Sequence, residues 1–148
     1  MASAKKSTGT PALRRRGARK VIGNAISRAL GIRLISVGRR RLRAEMPVTP
    51  LHLNNAARVN GGVLMAFADV AGAAATVANL DAGELTATLE SKTNFFAAGR
   101  GPVMKATVDL LHAGRTTMVW QTTIRNSGDG SRVAIVTQTQ IRLRARGD

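Results

Sequence analysis

The chain has 148 residues, a formal net charge of +15 and no cysteine. That length supports one domain with a real apolar core, and the missing cysteine excludes disulfides, thiolate metal sites and thiol nucleophiles. Two histidines, His52 and His112, are too few for a multi-histidine metal centre. No apolar run approaches the roughly 20 residues that cross a bilayer, so a cytoplasmic protein without a membrane partner is expected.

The charge is unevenly placed. Residues 1–43 carry thirteen Lys or Arg and no acid, whereas residues 44–148 carry ten against eight Asp or Glu. Residues 1–20 are basic and poor in large apolar groups, so they are read as a flexible arm ahead of a domain at 21–148. The arm's composition is also compatible with a mitochondrial transit segment. The runs Arg14–Lys20 and Arg39–Arg43 could hold a nucleic acid electrostatically. Neither run contains a stacking aromatic or a recognised reader motif, so nucleic acid is not the expected partner.

Spacing through Val21, Ile22, Ile26 and Leu30 predicts a short helix ended by Gly31. Residues 32–48 predict a first strand that stops at Pro47, with Arg39–Arg43 on a sheet edge. After the connection LHLNNAARV, residues 61–79 predict a long Ala-rich helix closed by Asp81 and Gly83. Four strands follow: one beginning at Leu85, then Val103–Leu110, Thr116–Arg125 and Arg132–Leu143. The glycine-bearing turns AAGRGP, HAGR and NSGDGS separate them, and a meander with positive φ at those glycines is expected. The order implies an α+β fold, an antiparallel sheet wrapped around one long helix with a short N-terminal helix beside it.

The central helix carries the chemistry. Gly61 and Gly62 stand where it begins, leaving free N–H groups and the positive dipole end open to a ligand oxygen. Asp69 is a lone carboxylate among Phe67, Ala68, Val70 and Ala71, costly there unless it is paired or functional. Seven residues separate Gly62 from Asp69, placing them on nearly one face but about 10 Å apart along the axis. One helix cannot bring both to the same carbonyl. If both act on one substrate, Asp69 of one subunit meets the Gly61–Gly62 terminus of another, in a homodimer with composite sites.

These residues resemble the hotdog-fold thioesterases of the PaaI type, in the superfamily of the 4-hydroxybenzoyl-CoA thioesterases. Asn54, the triplet Asn60-Gly61-Gly62 and Asp69 fall at that family's spacings, and the likeness extends over about residues 25–144. The resemblance implies a hotdog fold and hydrolysis of an acyl-CoA without a cofactor or metal, by a homodimer or a pair of dimers. Gly61 would polarise the thioester carbonyl through its N–H, Asp69 would act as general base or nucleophile, and Asn54 would steady the water or carbonyl. Asn60 stands where the family usually has His. An amide can donate a hydrogen bond but cannot take a proton near neutral pH, so a non-catalytic acyl-CoA-binding protein is the alternative. Gly62, Met65 and Arg115 are the candidate substrate contacts, Arg115 toward a CoA phosphate together with Lys92, Arg100 or Arg125. His52 and His112 are expected to be structural, and Phe67, Phe95, Phe96 and Trp120 to be packing residues.

Overall fold

The computed structural model describes residues 9–144. Helix α1 (Pro11–Ile22) begins on Thr10, whose hydroxyl accepts from the Leu13 N–H, and has Pro at its start. Gly23 caps it, Asn24 caps the short α2 (Ala25–Ala29), and the hairpin β1 (Arg33–Val37) and β2 (Arg41–Pro47) follows. A turn at Pro50–His52 leads into the central helix α3 (Gly61–Val77). Strands β3 (Glu84–Phe95), β4 (Val103–Ala113), β5 (Thr117–Asn126) and β6 (Arg132–Arg144) complete the chain.

One antiparallel sheet contains all six strands in the order β1-β2-β4-β5-β6-β3. It wraps α3, which is apolar nearly all round and buries Leu64, Phe67, Ala68, Ala71, Ala74 and Ala75. The sheet answers with Leu42, Ala44 and Met46 from β2, Met104, Ala106 and Val108 from β4, and Trp120 and Ile124 from β5. The Trp120 indole N–H donates to Thr76 Oγ1 at 2.9 Å, which satisfies the one polar atom of the largest core side chain.

Several expectations need correction. The arm expected over 1–20 is helical from Pro11 onward. Gly17 lets α1 approach α3 so closely that a Cβ there would lie 3.3 Å from Val77, and Ala18 is buried without exposure. Only residues 1–8 of that arm lie outside the described residues. The single helix at 21–31 is split at Gly23–Asn24, because the Asn24 carboxamide caps a new helix through the Ser27 N–H. The single strand at 32–48 is a hairpin, and Arg41–Arg43 belong to β2, which lies between β1 and β4 rather than at an edge. Only β4-β5-β6 form a meander, while β3 pairs with β6 at the far edge. Of the turn glycines, Gly130 has positive φ, at 70°. Gly99 is needed for another reason: a Cβ there would lie 2.8 Å from Val59 Cβ.

At the start of β3, burial pushes the Glu84 carboxyl up. The bond from Arg142 at 2.7 Å and the Asp81 N–H at 2.9 Å outweigh it and hold the group below the usual carboxylate range. A depressed folded value means stability that is present above the unfolded value of about 4.3 and is lost as pH falls through the folded one. Glu84→Gln should therefore cost at most about 1 kcal/mol at neutral pH, and the cost should vanish in acid. Melting temperatures of both proteins from pH 7 downward measure this, and curves that stay parallel would remove the linkage.

Candidate active site

Asn60 is the N-cap of α3, and its Oδ1 accepts the Gly62 N–H at 2.8 Å. The Gly62 donor is thereby occupied from within. The Gly61 N–H has no partner among the described residues. Gly61 lies beneath Phe95 at the end of β3, where a Cβ would be 3.2 Å from the ring's Cζ. The helix terminus is thus an open donor under a half-exposed aromatic ring.

Two turns along, Asp69 is half-buried and not enclosed by its apolar neighbours. Its Oδ1 accepts from the Thr88 hydroxyl of β3 at 2.8 Å. Behind Thr88, Gln140 Nε2 donates to Thr88 Oγ1 at 2.7 Å, and Thr86 Oγ1 lies 3.0 Å from Gln140 Oε1. Gln138 Nε2 approaches the same carboxylate oxygen at 3.5 Å. Gln138 and Gln140 are both fully buried. The Gln138 amide lies so close to α3 that a Cβ on Gly72 would be 2.4 Å from its Cδ. One oxygen of Asp69 is held by a polar ladder reaching into the sheet, which fixes the carboxylate's orientation. A β-bulge falls between Thr88 and Glu90, at the strand position that meets Asp69.

The sequence reading missed Thr88, Gln138 and Gln140. A signal was available in β6, where glutamines occupy two successive inward positions after Ala134 and Val136. In β3 the alternation is real, but Leu85 and Leu89 are the exposed members and the threonines bond inward.

The remaining candidates are dispersed. Asn54 Oδ1 accepts from the Ala56 and Arg58 N–H groups, so its carboxamide oxygen shapes the loop before α3. Met65 is exposed on α3. Arg115 is in the β4–β5 turn, near Thr117, which pairs with Ile141 and through it Ala87. That is the opposite end of the sheet from Phe95 and Gly61. Arg100 and Arg125 are at the Phe95 end, with Arg132 stacked 4.6 Å from the Phe96 ring centroid. His52 is buried and structural, bonding the Thr49 N–H at 2.9 Å and Leu30 O at 3.1 Å. No group of three or more metal-ligating side chains occurs among the described residues, and no helix there is long and apolar enough to cross a membrane.

The Thr88 contact allows a direct test. Thr88→Val keeps the side chain's shape and removes the hydroxyl, leaving Asp69 Oδ1 and Gln140 Nε2 without their partner. If the carboxylate acts in turnover, kcat should fall on the order of tenfold with KM little changed, and Thr88→Ser should restore it. A purely structural hydroxyl would change the melting temperature and leave kcat alone.

Comparison with known proteins identifies the family. The family model of the thioesterase superfamily matches residues 57–133, a stretch that contains both Gly61 and Asp69. A 1,4-dihydroxy-2-naphthoyl-CoA hydrolase of Listeria monocytogenes is 24% identical over 96 residues, covering 65% of this chain and 78% of that protein. Among solved structures, the E. coli PaaI protein from the phenylacetic acid degradation operon is 26% identical. It superposes with a TM-score of 0.82 over 91% of this chain and 96% of its own. A thioesterase family protein from Silicibacter pomeroyi shares the fold with a TM-score of 0.84 at 21% identity, over 89% of this chain and 99% of its own. With its central helix wrapped by one antiparallel sheet and its Gly-Gly terminus and carboxylate on that helix, the chain belongs to the thioesterase superfamily of hotdog-fold thioester hydrolases.

Proposed function

We infer that the protein hydrolyses an acyl-CoA thioester to a free carboxylic acid and CoA, in sites shared between two subunits. The observation that carries this reading is the pairing of an anchored, solvent-reaching carboxylate, Asp69, with an unoccupied helix-terminal donor, the Gly61 N–H. The Asp69 carboxylate takes a proton from water as the water's oxygen attacks the thioester carbon. The Gly61 N–H and the α3 dipole stabilise the oxyanion, and collapse of the tetrahedral intermediate breaks the C–S bond and releases the CoA thiolate. The anchored Oδ1 leaves the second carboxylate oxygen for the water. Asn60 serves as the helix cap and needs no proton-transfer role in this scheme, which fits its replacing the family's usual His.

An unpaired sheet edge supports the dimer. β3 is 12 residues long and hydrogen-bonded on one side only, and an edge of that length invites pairing. Antiparallel pairing of two β3 strands about their middle sets the Phe95 end of one against the Glu84 end of the other. That pairing moves the partner's α3 terminus toward the Asp69–Thr88 pair, the direction a shared site requires. The exposed Leu85, Leu89, Leu111 and Leu143 offer an apolar surface on which two such dimers can pair. Arg100 and Arg125, at the Phe95 end, suit the phosphates of the CoA nucleotide better than Arg115 does.

The test is thiol release from a panel of acyl-CoAs by the wild type beside Asp69→Ala. Turnover that disappears in the variant supports the enzyme. Ligand-induced stabilisation without free thiol from any ester would instead identify an acyl-CoA-binding protein.

A further inference from the structure

A cleft of about 720 Å³ opens between α1, the C-terminal half of α3 and the start of β3. We propose that it seats the acyl group of the thioester, and that this group is an aliphatic chain of several carbons rather than an aryl ring. The proposal rests on the thioesterase reading above and deepens it to the substrate class.

Position makes the first argument. Ala73 and Val77 form the cleft's wall on α3, one and two turns beyond Asp69 on the same helix face. From Asp69 to Val77 is about 12 Å along the axis. On the sheet side the cleft reaches Thr86, which joins Gln140, Thr88 and Asp69 in the polar ladder. The cleft thus begins one helical turn from the carboxylate and leads away from it. A thioester whose carbonyl is attacked beside Asp69 can send its acyl chain down this path while its sulfur points the other way.

Size and wall chemistry make the second. A cavity of about 150 Å³ already holds a benzene ring, and ligand clefts run to about 1,000 Å³. The observed volume is several times what a phenyl group fills. Its apolar lining is aliphatic throughout, with Leu13 and Val21 from α1 and Leu80 beyond α3 facing Ala73 and Val77. None of the chain's own aromatic residues lines it, so a ring there would gain no stacking partner from the subunit that builds the cleft. Arg14, Lys20, Asp81 and Glu84 also border the cleft; the aliphatic stems of the two bases extend the apolar wall with their charges in water, and Glu84 is paired with Arg142. Helix α1 thereby becomes the specificity element, and its close seat at Gly17 against Val77 sets the width of the cleft.

The experiment measures kcat/KM for straight-chain acyl-CoAs of increasing length, with benzoyl-CoA and phenylacetyl-CoA alongside. The wild type should gain up to about fourfold per methylene until the cleft is full, and should favour the best alkyl ester over both aryl esters by tenfold or more. Ala73→Phe fills the cleft's entrance and should lower the ratio of long-chain to short-chain kcat/KM at least tenfold. Ala73→Leu is the milder variant, should the larger residue impair folding, and should shift the optimum to shorter chains. Faster turnover of an aryl ester than of any alkyl ester would overturn the acyl assignment while leaving the thioesterase intact. If no ester is hydrolysed, the thioesterase reading fails separately, and calorimetric binding of the same esters decides the cleft. Affinity that climbs with chain length and collapses in Ala73→Phe supports it, and affinity indifferent to length overturns it.

Discussion

Asp69→Asn should lower kcat by about two to four orders of magnitude, the range lost when a positioned general base is removed, while the protein stays folded. The substitution preserves size and keeps an oxygen for the Thr88 hydroxyl, which donates at 2.8 Å. What it removes is the capacity to accept a proton. Because the side chain is half-buried and its apolar neighbours do not enclose it, the melting temperature should change by the equivalent of about 1 kcal/mol or less. Continuous detection of free thiol, at substrate concentrations well above KM, gives the result. Activity within tenfold of wild type would mean that water is activated elsewhere, and the Asp69–Thr88 ladder would then be an ordinary structural network.

Gly61→Pro should lower kcat about 10²–10³-fold by removing a single hydrogen-bond donor without breaking the helix. Gly61 is the first residue of α3, where proline is favoured because the N–H there has no intrahelical partner. Asn60 already has φ −61° and ψ 137°, the extended conformation that a residue before proline prefers. The pyrrolidine ring would press on Phe95, but that ring is half-exposed and free to shift. Loss of an oxyanion donor typically costs about 10²–10³ in kcat.

Combined with Asp69→Asn, this variant also tests the shared site. If Asp69 of one subunit works with Gly61 of the other, refolding the two inactive variants together produces mixed dimers. In each, one site carries both lesions and the other carries neither. With random assortment, activity should return to about a quarter of wild type in an isologous dimer. Sites formed within one subunit would give no recovery, since every site would then keep one lesion. Recovery therefore depends on how the β3 edges meet, which no single-variant measurement reports.

The features that local chemistry specifies were legible in the sequence. The extent of α3 follows from its Ala-rich apolar run after Gly61-Gly62, and the three hairpin strands β4, β5 and β6 follow from alternation broken by glycine turns. The family spacing of Asn60-Gly61-Gly62 and Asp69 could be read without coordinates, because both groups belong to one helix and helix geometry is nearly invariant. The ordering of Pro11–Lys20 was not legible. A run rich in Arg does not bury itself, and it is held here by a small-residue face at Gly17 and Ala18 fitting against α3, a contact with no local signature.

The tertiary structure alone decided the rest. Strand pairing between β3 and β6 joins residues about 50 positions apart, and nothing in either segment names its partner. That pairing brings Thr88 to Asp69, sets Gln138 and Gln140 behind them, and leaves the other edge of β3 unpaired. Asn54 is tied up locally instead, its carboxamide oxygen occupied by the N–H groups of Ala56 and Arg58 in the loop it closes. The sequence by itself determined which helix holds the carboxylate and the open donor, since periodicity and capping act over a few residues. What surrounds that carboxylate depends on long-range sheet register, where a shift of one residue would turn Thr88 away from Asp69.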